Sequence, residues 1–335
     1  IDALLDVIGG DDTDRLFIDG SDAAVLGRNA TLTDGTLSGM GLSASGINYG
    51  DLEFLTVWMD AGGNLMTIDS THDGSTSSYM ADGEDTVDIN GASGIVTVFG
   101  EQAADDFNVR ATSLGSTLTL FGHEGIDTFN VSDASPTLPQ GDYPVGADPP
   151  APDDVTSALV AQTVGVVDDI DGLIVIDGGS ESDQLNVDDS ANTNSKRGTL
   201  TEDELRGMDM PAGIDYQNLE DLNLWLGTQS DTLYVASTHA HTTQIYGGDG
   251  VTGIADNATG TPNRDDTIAI NSNAGVTTVY GQGGNDLMLV NVTEDAGGGF
   301  IRTHGNGLGA ELNLTGNGGS DEYVVNLAGF GTALV

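Results

Sequence analysis

The sequence predicts an all-β protein, a parallel β-solenoid whose short rungs stack along one axis and carry inserted loops. Three observations predict it. Short stretches alternate apolar and polar residues, a glycine-aspartate turn returns at a near-constant interval, and almost the whole chain occurs twice.

The alternation is clear in Phe107-Asn108-Val109, in Thr128-Phe129-Asn130-Val131 and in Gln184-Leu185-Asn186-Val187. A period of two places successive side chains on opposite faces, so each stretch is a short strand with one buried face. Each follows a turn. The turns of the first copy end at Asp14, Asn64, Asp85, Asp105 and Asp127, and those of the second at Asp183, Asp231, Asp266, Asp286 and Asp321. Close neighbours are 20 to 22 residues apart. A further strand precedes many of the turns, as in Val96-Thr97-Val98-Phe99. One rung therefore holds at least two strands and two turns, and it must stack on its neighbours to bury its apolar face. A β-sandwich array also has short strands and regular turns. The constant interval favours the solenoid.

The duplication fixes the organisation. Gly46-Ile47-Asn48-Tyr49 recurs as Gly213-Ile214-Asp215-Tyr216, Leu52-Glu53 as Leu219-Glu220, Trp58 as Trp225 and Ser70-Thr71-His72 as Ser237-Thr238-His239. Residues 1–169 form one unit and residues 170–335 the second. Insertions near Val251–Arg264 and Gly297–Gly309 lengthen the second copy. A proline-rich excursion occupies 132–162 of the first, with a short helix expected over Asp153–Gln162. The Asp22–Met59 region does not keep the rung interval and predicts longer rungs or a small subdomain.

Composition excludes several functions. The chain carries 53 Asp and Glu against 8 Lys and Arg, a net charge of -45. Nucleic acids and anionic membrane surfaces need basic side chains, so neither is an expected partner. No apolar run reaches the ~18 residues of a spanning helix. There is no cysteine, hence neither disulfide nor thiolate metal site. The start at Ile1 without a methionine suggests a piece of a longer protein.

The turns Gly178-Gly179-Ser180-Glu181-Ser182-Asp183 and Gly281-Gln282-Gly283-Gly284-Asn285-Asp286 resemble the glycine-aspartate nonapeptide of RTX-type, haemolysin-like calcium repeats. The longer unit is similar to the tandem repeats of very large secreted bacterial surface proteins and adhesins. That resemblance implies calcium at Asp14, Asp85, Asp105, Asp127, Asp183, Asp231, Asp266, Asp286 and Asp321, with help from Asp11, Asp12, Glu124, Glu181 and Asp249. Calcium takes six to eight oxygens, and glycine turns can supply carbonyls beside the carboxylates. RTX motifs return every nine residues and line both edges of a solenoid. Here the longer interval predicts a single row on one edge. The plain structural alternative is that glycine supplies positive φ and aspartate hydrogen-bonds within its turn.

The other candidates favour structure over chemistry. Trp58 and Trp225 are expected in the core. His239 and His241 would share one face of a strand, and only His239 has a counterpart, His72, in the first copy. Thr-x-Thr at 31–33, 117–119 and 199–201 does not recur rung after rung, as a flat ice-binding face would require. The expected function is non-catalytic: a structural repeat segment of an extracellular bacterial fibre, stalk or adhesin, possible in a marine or high-salt setting. Its partners would be further copies of the same unit, a self-associated filament, or a cell-surface glycan or protein. The alternative is a carbohydrate-binding or carbohydrate-cleaving β-helix.

Overall fold

A computed structural model describes residues 3–21, 27–42, 46–134, 165–248, 265–302 and 307–326. Most of the proline-rich excursion, the expected helix over Asp153–Gln162, the insertion near Val251–Arg264 and Asp249 lie outside the described residues. Within them the chain is a two-sheet solenoid of 28 short strands with no helix, and the two principal sheets hold 13 strands each. The sandwich alternative is set aside, because neighbouring rungs pair in parallel along both sheets.

The first copy opens with β1 (Leu5–Ile8) in the first sheet and β2 (Arg15–Asp19) in the second. After a meander of β3 (Asn29–Leu32), β4 (Thr36–Gly39) and β5 (Ile47–Gly50), β6 (Phe54–Trp58) returns to the second sheet. Then the sheets alternate: β7 (Leu65–Ile68), β8 (Ser75–Tyr79), β9 (Thr86–Ile89), β10 (Ile95–Gln102), β11 (Asp106–Val109), β12 (Thr117–Glu124) and β13 (Thr128–Val131). The second copy repeats this plan with the sheets exchanged. It opens with β14 (Leu173–Ser180) in the second sheet and β15 (Gln184–Asp188) in the first. The meander is now β16 (Arg197–Leu200), β17 (Glu204–Gly207) and β18 (Met210–Gln217). The strands β19 (Asp221–Trp225), β20 (Thr232–Val235), β21 (Thr242–Tyr246), β22 (Thr267–Ile270), β23 (Thr277–Tyr280) and β24 (Leu287–Val290) follow. A side hairpin, β25 (Val292–Glu294) and β26 (Phe300–Arg302), precedes the last rung, β27 (Leu312–Thr315) and β28 (Glu322–Val325).

The meanders explain the stretch that broke the rung interval. They are wedges, neither longer rungs nor a subdomain. Each puts three strands into one sheet where the facing sheet has one; the middle strand is antiparallel to both neighbours, and the outer two pair in parallel with the adjoining rungs. At a strand spacing of ~4.8 Å, one wedge lengthens its sheet by roughly 10 Å. The first copy wedges the first sheet and the second copy wedges the second, so both sheets finish with 13 strands. Glycines make the meander turns: a Cβ at Gly46 (φ 63°) would meet the Leu37 carbonyl at 2.4 Å, and one at Gly213 (φ 76°) the Leu205 carbonyl at 2.4 Å. Tyr49 Oη donates to the Thr33 carbonyl, and Tyr216 Oη to the Thr201 carbonyl at 2.6 Å. The Gly-Ile-x-Tyr signature therefore builds the wedge.

One apolar core runs from Ile18 to Met288 without a break between the copies. The copy boundary is an ordinary rung step, with Leu118 opposite Ile174 and Phe129 opposite Leu185. Outside the core, side-chain ladders run along the axis. On the first sheet, amides link Asp88, Asn108, Asn130, Asn186 and Asn223 at 2.9 to 3.0 Å, crossing the same boundary. On the second, Phe17, Trp58, Tyr79, Phe99 and Phe121 stack with ring centroids 4.5 to 5.8 Å apart. Trp225, Tyr246 and Tyr280 form the counterpart. The expectation of core tryptophans is thus corrected. Leu55 and Val57 point inward, and alternation turns Trp58 out.

Candidate functional site

The glycine-aspartate turns gather into two columns of buried carboxylates, one on each edge of the solenoid. The first column lies where the chain crosses from the second sheet to the first. There the backbone N–H of Arg28 donates to Asn64 Oδ1 at 2.9 Å, and the N–H of Asn64 donates to Asp85 Oδ1 at 2.5 Å. The pattern repeats from Asp85 to Asp105 (2.8 Å), Asp105 to Asp127 (2.9 Å) and Asp127 to Asp183 (2.8 Å), and ends from Asp183 to Glu220 Oε2 (2.9 Å). The second column lies on the opposite edge. It runs from the N–H of Lys196 through Asp231 (2.6 Å), Asp266 (2.7 Å) and Asp286 (3.1 Å) to Asp321 (3.0 Å). On that edge too, the N–H of Asp14 donates to Glu53 Oε2 at 2.7 Å. The expected single row is corrected: the two wedges shift the motif by half a rung, so the columns change edges.

Each aspartate thus replaces a backbone acceptor where the sheet ladder breaks at the corner. A buried N–H without a partner costs ~1–3 kcal/mol, and Oδ1 of the next rung satisfies it. The preceding glycine follows from the same geometry. At Gly122, five residues before Asp127, a Cβ would lie 2.1 Å from Asp127 Oδ2 and 2.5 Å from the Gly178 carbonyl. At Gly281 it would lie 2.3 Å from Asp286 Oδ2 and 2.8 Å from the Gly316 carbonyl. The turn motif is the sequence signature of this close approach.

The second oxygen is the unusual feature. Oδ2 of Asp85, Asp105, Asp127, Asp183, Asp266 and Asp286 is buried without a hydrogen-bond partner. Beside Gly122 and Gly281 it converges with a carbonyl oxygen of the next rung, two acceptors facing one point. Burial pushes the carboxyls up, Asp105 to about 8, Asp266 to about 9, and Asp85, Asp183 and Asp286 to about 7. The neutral acid resolves the conflict, because Oδ2–H becomes a donor. Where an amide stands in the column, Asn64 Nδ2 donates to the carbonyls of Asp60 (2.9 Å) and Met80 (3.2 Å).

The columns begin at cations. Arg28 Nε lies 3.2 Å from buried Asp60, and the buried Lys196 Nζ contacts Asp168 at 2.5 Å and Asp209. Arg28 and Lys196 are equivalent in the two copies, each three residues before a Thr-Leu-Thr.

The nine aspartates expected to hold calcium all belong to these columns or to the Asp14–Glu53 step. Their Oδ1 atoms are committed to backbone donors, apart from Asp14, whose own N–H is the donor of its step. Among the described residues no three His, Asp or Glu side chains gather as a metal-binding group. Glu124 and Glu181 are exposed on the rim of the first column, and Asp11 and Asp12 near the first turn.

The histidine pair lies in the turn before β21 and not on a strand. His239 is packed edge-on against Tyr216, as His72 is against Tyr49, and burial lowers the pKa of both imidazoles. An open cleft beside the second wedge is lined by Tyr216, Glu220, His239 and His241. The aromatic ladders present ring edges to solvent because the ring faces are stacked on each other. A sugar platform needs exposed faces.

Compared with family models, curated proteins and solved structures, the chain matches none. The class it defines is that of a two-sheet parallel β-solenoid with internally hydrogen-bonded aspartate columns.

Proposed function

We propose that the chain is a non-catalytic structural segment of a large extracellular bacterial fibre, stalk or adhesin, built to continue as a straight rod. One observation carries this: the wedges fall on opposite sheets, so the bend that each imposes is offset by the other over two copies. The unbroken core and the amide ladder across the copy boundary support it. So does the use of the chemistry shared by both copies, the turns and ladders, for rung-to-rung bonds.

Calcium, which the turn resemblance implies, enters this reading as a counterion for the exposed acid of a chain with net charge -45. Chelation should then lower the melting temperature no more than removing the same ionic strength of sodium chloride. A calcium-specific effect at micromolar concentration would overturn that clause alone.

Small-angle scattering tests the rod. Thirteen strands at ~4.8 Å give a stacked length of roughly 60 Å, and the pair-distance distribution should have the long tail of a straight particle. A compact or sharply bent particle would sink the proposal. Glycan-array binding or reducing-sugar release would favour the carbohydrate reading instead.

A further inference from the structure

We infer that the first and last described rungs are matching halves of one more copy-to-copy junction, and that the partner seated there is a second copy of this chain, head to tail. The inference rests on the structural reading above and adds its partner and register.

The internal junction supplies the template. The last rung of the first copy, β12 and β13, pairs in parallel with the first rung of the second, β14 and β15. The glycine-aspartate turns align the equivalents: Gly122 and Asp127 with Gly316 and Asp321, and Gly178 and Asp183 with Gly9 and Asp14. The external junction then pairs β27 with β1 and β28 with β2 of the next molecule. Its register sets Leu312 opposite Leu5, Leu314 opposite Val7, Tyr323 opposite Leu16 and Val325 opposite Ile18. The sheets agree, since β27 and β1 both lie in the first and β28 and β2 in the second.

Three features of the ends fit this register. First, apolar side chains of the first and last described rungs are left uncovered among the described residues. Ile174 is fully buried at the internal junction, whereas its equivalent Leu5 is 40% exposed. At the far end, Tyr323 is 45% and Val325 53% exposed, where Phe129 and Val131 are buried. Second, charge is complementary: the register sets Glu322 directly opposite Arg15, and both are exposed. Third, the second aspartate column stops one bond short. At the internal junction, Asp127 N–H donates to Asp183 Oδ1 and Asp183 N–H to Glu220. At the ends, the Asp14–Glu53 step is already made on the edge of the second column. Asp321 N–H has no acceptor among the described residues, and Asp14 Oδ1 of the next molecule is the acceptor this register offers it.

The absence of cysteine makes a clean test. Phe17 and Val324 face outward and are directly opposite in this register, at a Cα separation of ~4.8 Å that a disulfide spans. Phe17 and Glu322 are a diagonal pair, beyond the ~7 Å reach of a disulfide. Mixing the 335-residue Phe17→Cys and Val324→Cys proteins under mild oxidation should give a reducible dimer. Mixing Phe17→Cys with Glu322→Cys should give at least tenfold less. Arg15→Glu, added to the Phe17→Cys protein, should reduce capture several-fold, and Glu322→Arg in the Val324→Cys partner should restore it. Circular dichroism checks that each variant keeps its strand content. Equal capture by both pairings, or none from folded variants, overturns the inference. If capture fails while scattering still shows a straight rod, the docking falls and the structural role stands. A bent or compact particle would remove the structural role whatever the capture yields.

Discussion

The backbone N–H of Asp105 donates to Oδ1 of Asp127 across 2.9 Å, although 22 residues separate them in sequence. The same bond repeats up the column, so each aspartate serves the rung before it. The side chain acts as a piece of backbone, closing a ladder that the corner would otherwise break. This relationship accounts for a turn motif that resembles a calcium loop without invoking the ion.

The two oxygens of Asp127 can be tested separately. Asp127→Ala removes the acceptor for the Asp105 N–H and should destabilise by ~1–3 kcal/mol. Asp127→Asn keeps Oδ1 and turns an amide toward the Gly178 carbonyl, the arrangement that Asn64 already shows with its own carbonyl partners. At pH 8 the asparagine variant should be at least as stable as the native protein. Denaturant titration at fixed pH distinguishes the two. An asparagine variant as damaged as the alanine variant would mean that Oδ2 needs its charge, as a bound cation would require.

Gly122 marks the other half of the same contact. Gly122→Ala would drive its Cβ to 2.1 Å from Asp127 Oδ2 and 2.5 Å from the Gly178 carbonyl. Backbone cannot yield as a flexible side chain does, so the cost should be ~3 kcal/mol or more, at the upper end for overpacking. Gly50→Ala is the control, because its Cβ would meet only Ile8 Cδ1 at an ordinary 3.6 Å. Thermal melting should show a clear loss for the first and little change for the second. Equal losses would show that the close approach of the Asp127 carboxylate is not what excludes a side chain at Gly122.

Much of this was legible in the sequence, and the rest failed for identifiable reasons. The glycine-to-aspartate spacing is local, so the turns, the rung interval and the duplication could be read directly. The edge on which each turn lies could not be read from the motif, because a two-strand rung has two similar corners. A signal was nonetheless present: Asp14 to Asn64 spans 50 residues, which is not a whole number of rungs of 20 to 22. The wedge absorbs the difference and moves the motif to the other corner. The face of Trp58 was also legible, since Leu55 and Val57 fix the inward parity and leave the tryptophan outside. The equivalence of Arg28 and Lys196 could be read from the repeat, but their role could not, because each starts a column through its backbone N–H, which the sequence does not display.

The protonation of the columns predicts an inverted pH dependence. Burial raises the folded-state pKa of Asp105 to about 8, Asp266 to about 9, and Asp85, Asp183 and Asp286 to about 7, while the unfolded chain keeps ordinary carboxyls near ~4. Between those limits the folded state binds more protons than the unfolded one, so stability falls as pH rises. The contribution is complete below pH ~4 and is lost as pH rises from there to each folded-state pKa, most steeply between pH ~4 and 7, where all five groups still bind more protons in the folded state, and is gone above pH ~9. Self-repulsion of the acidic surface, also eased by protonation, acts in the same direction. The melting temperature should therefore be higher at pH 5 than at pH 8, by on the order of ten degrees if each column group contributes ~1 kcal/mol. Asp105→Asn and Asp266→Asn together should flatten the part of the profile above pH 7 and make the part below it shallower, leaving there the slope of Asp85, Asp183 and Asp286. Melting curves across this range decide it. A protein most stable at pH 8 would mean that the columns are charged when folded, and that something other than a proton lies between the oxygens.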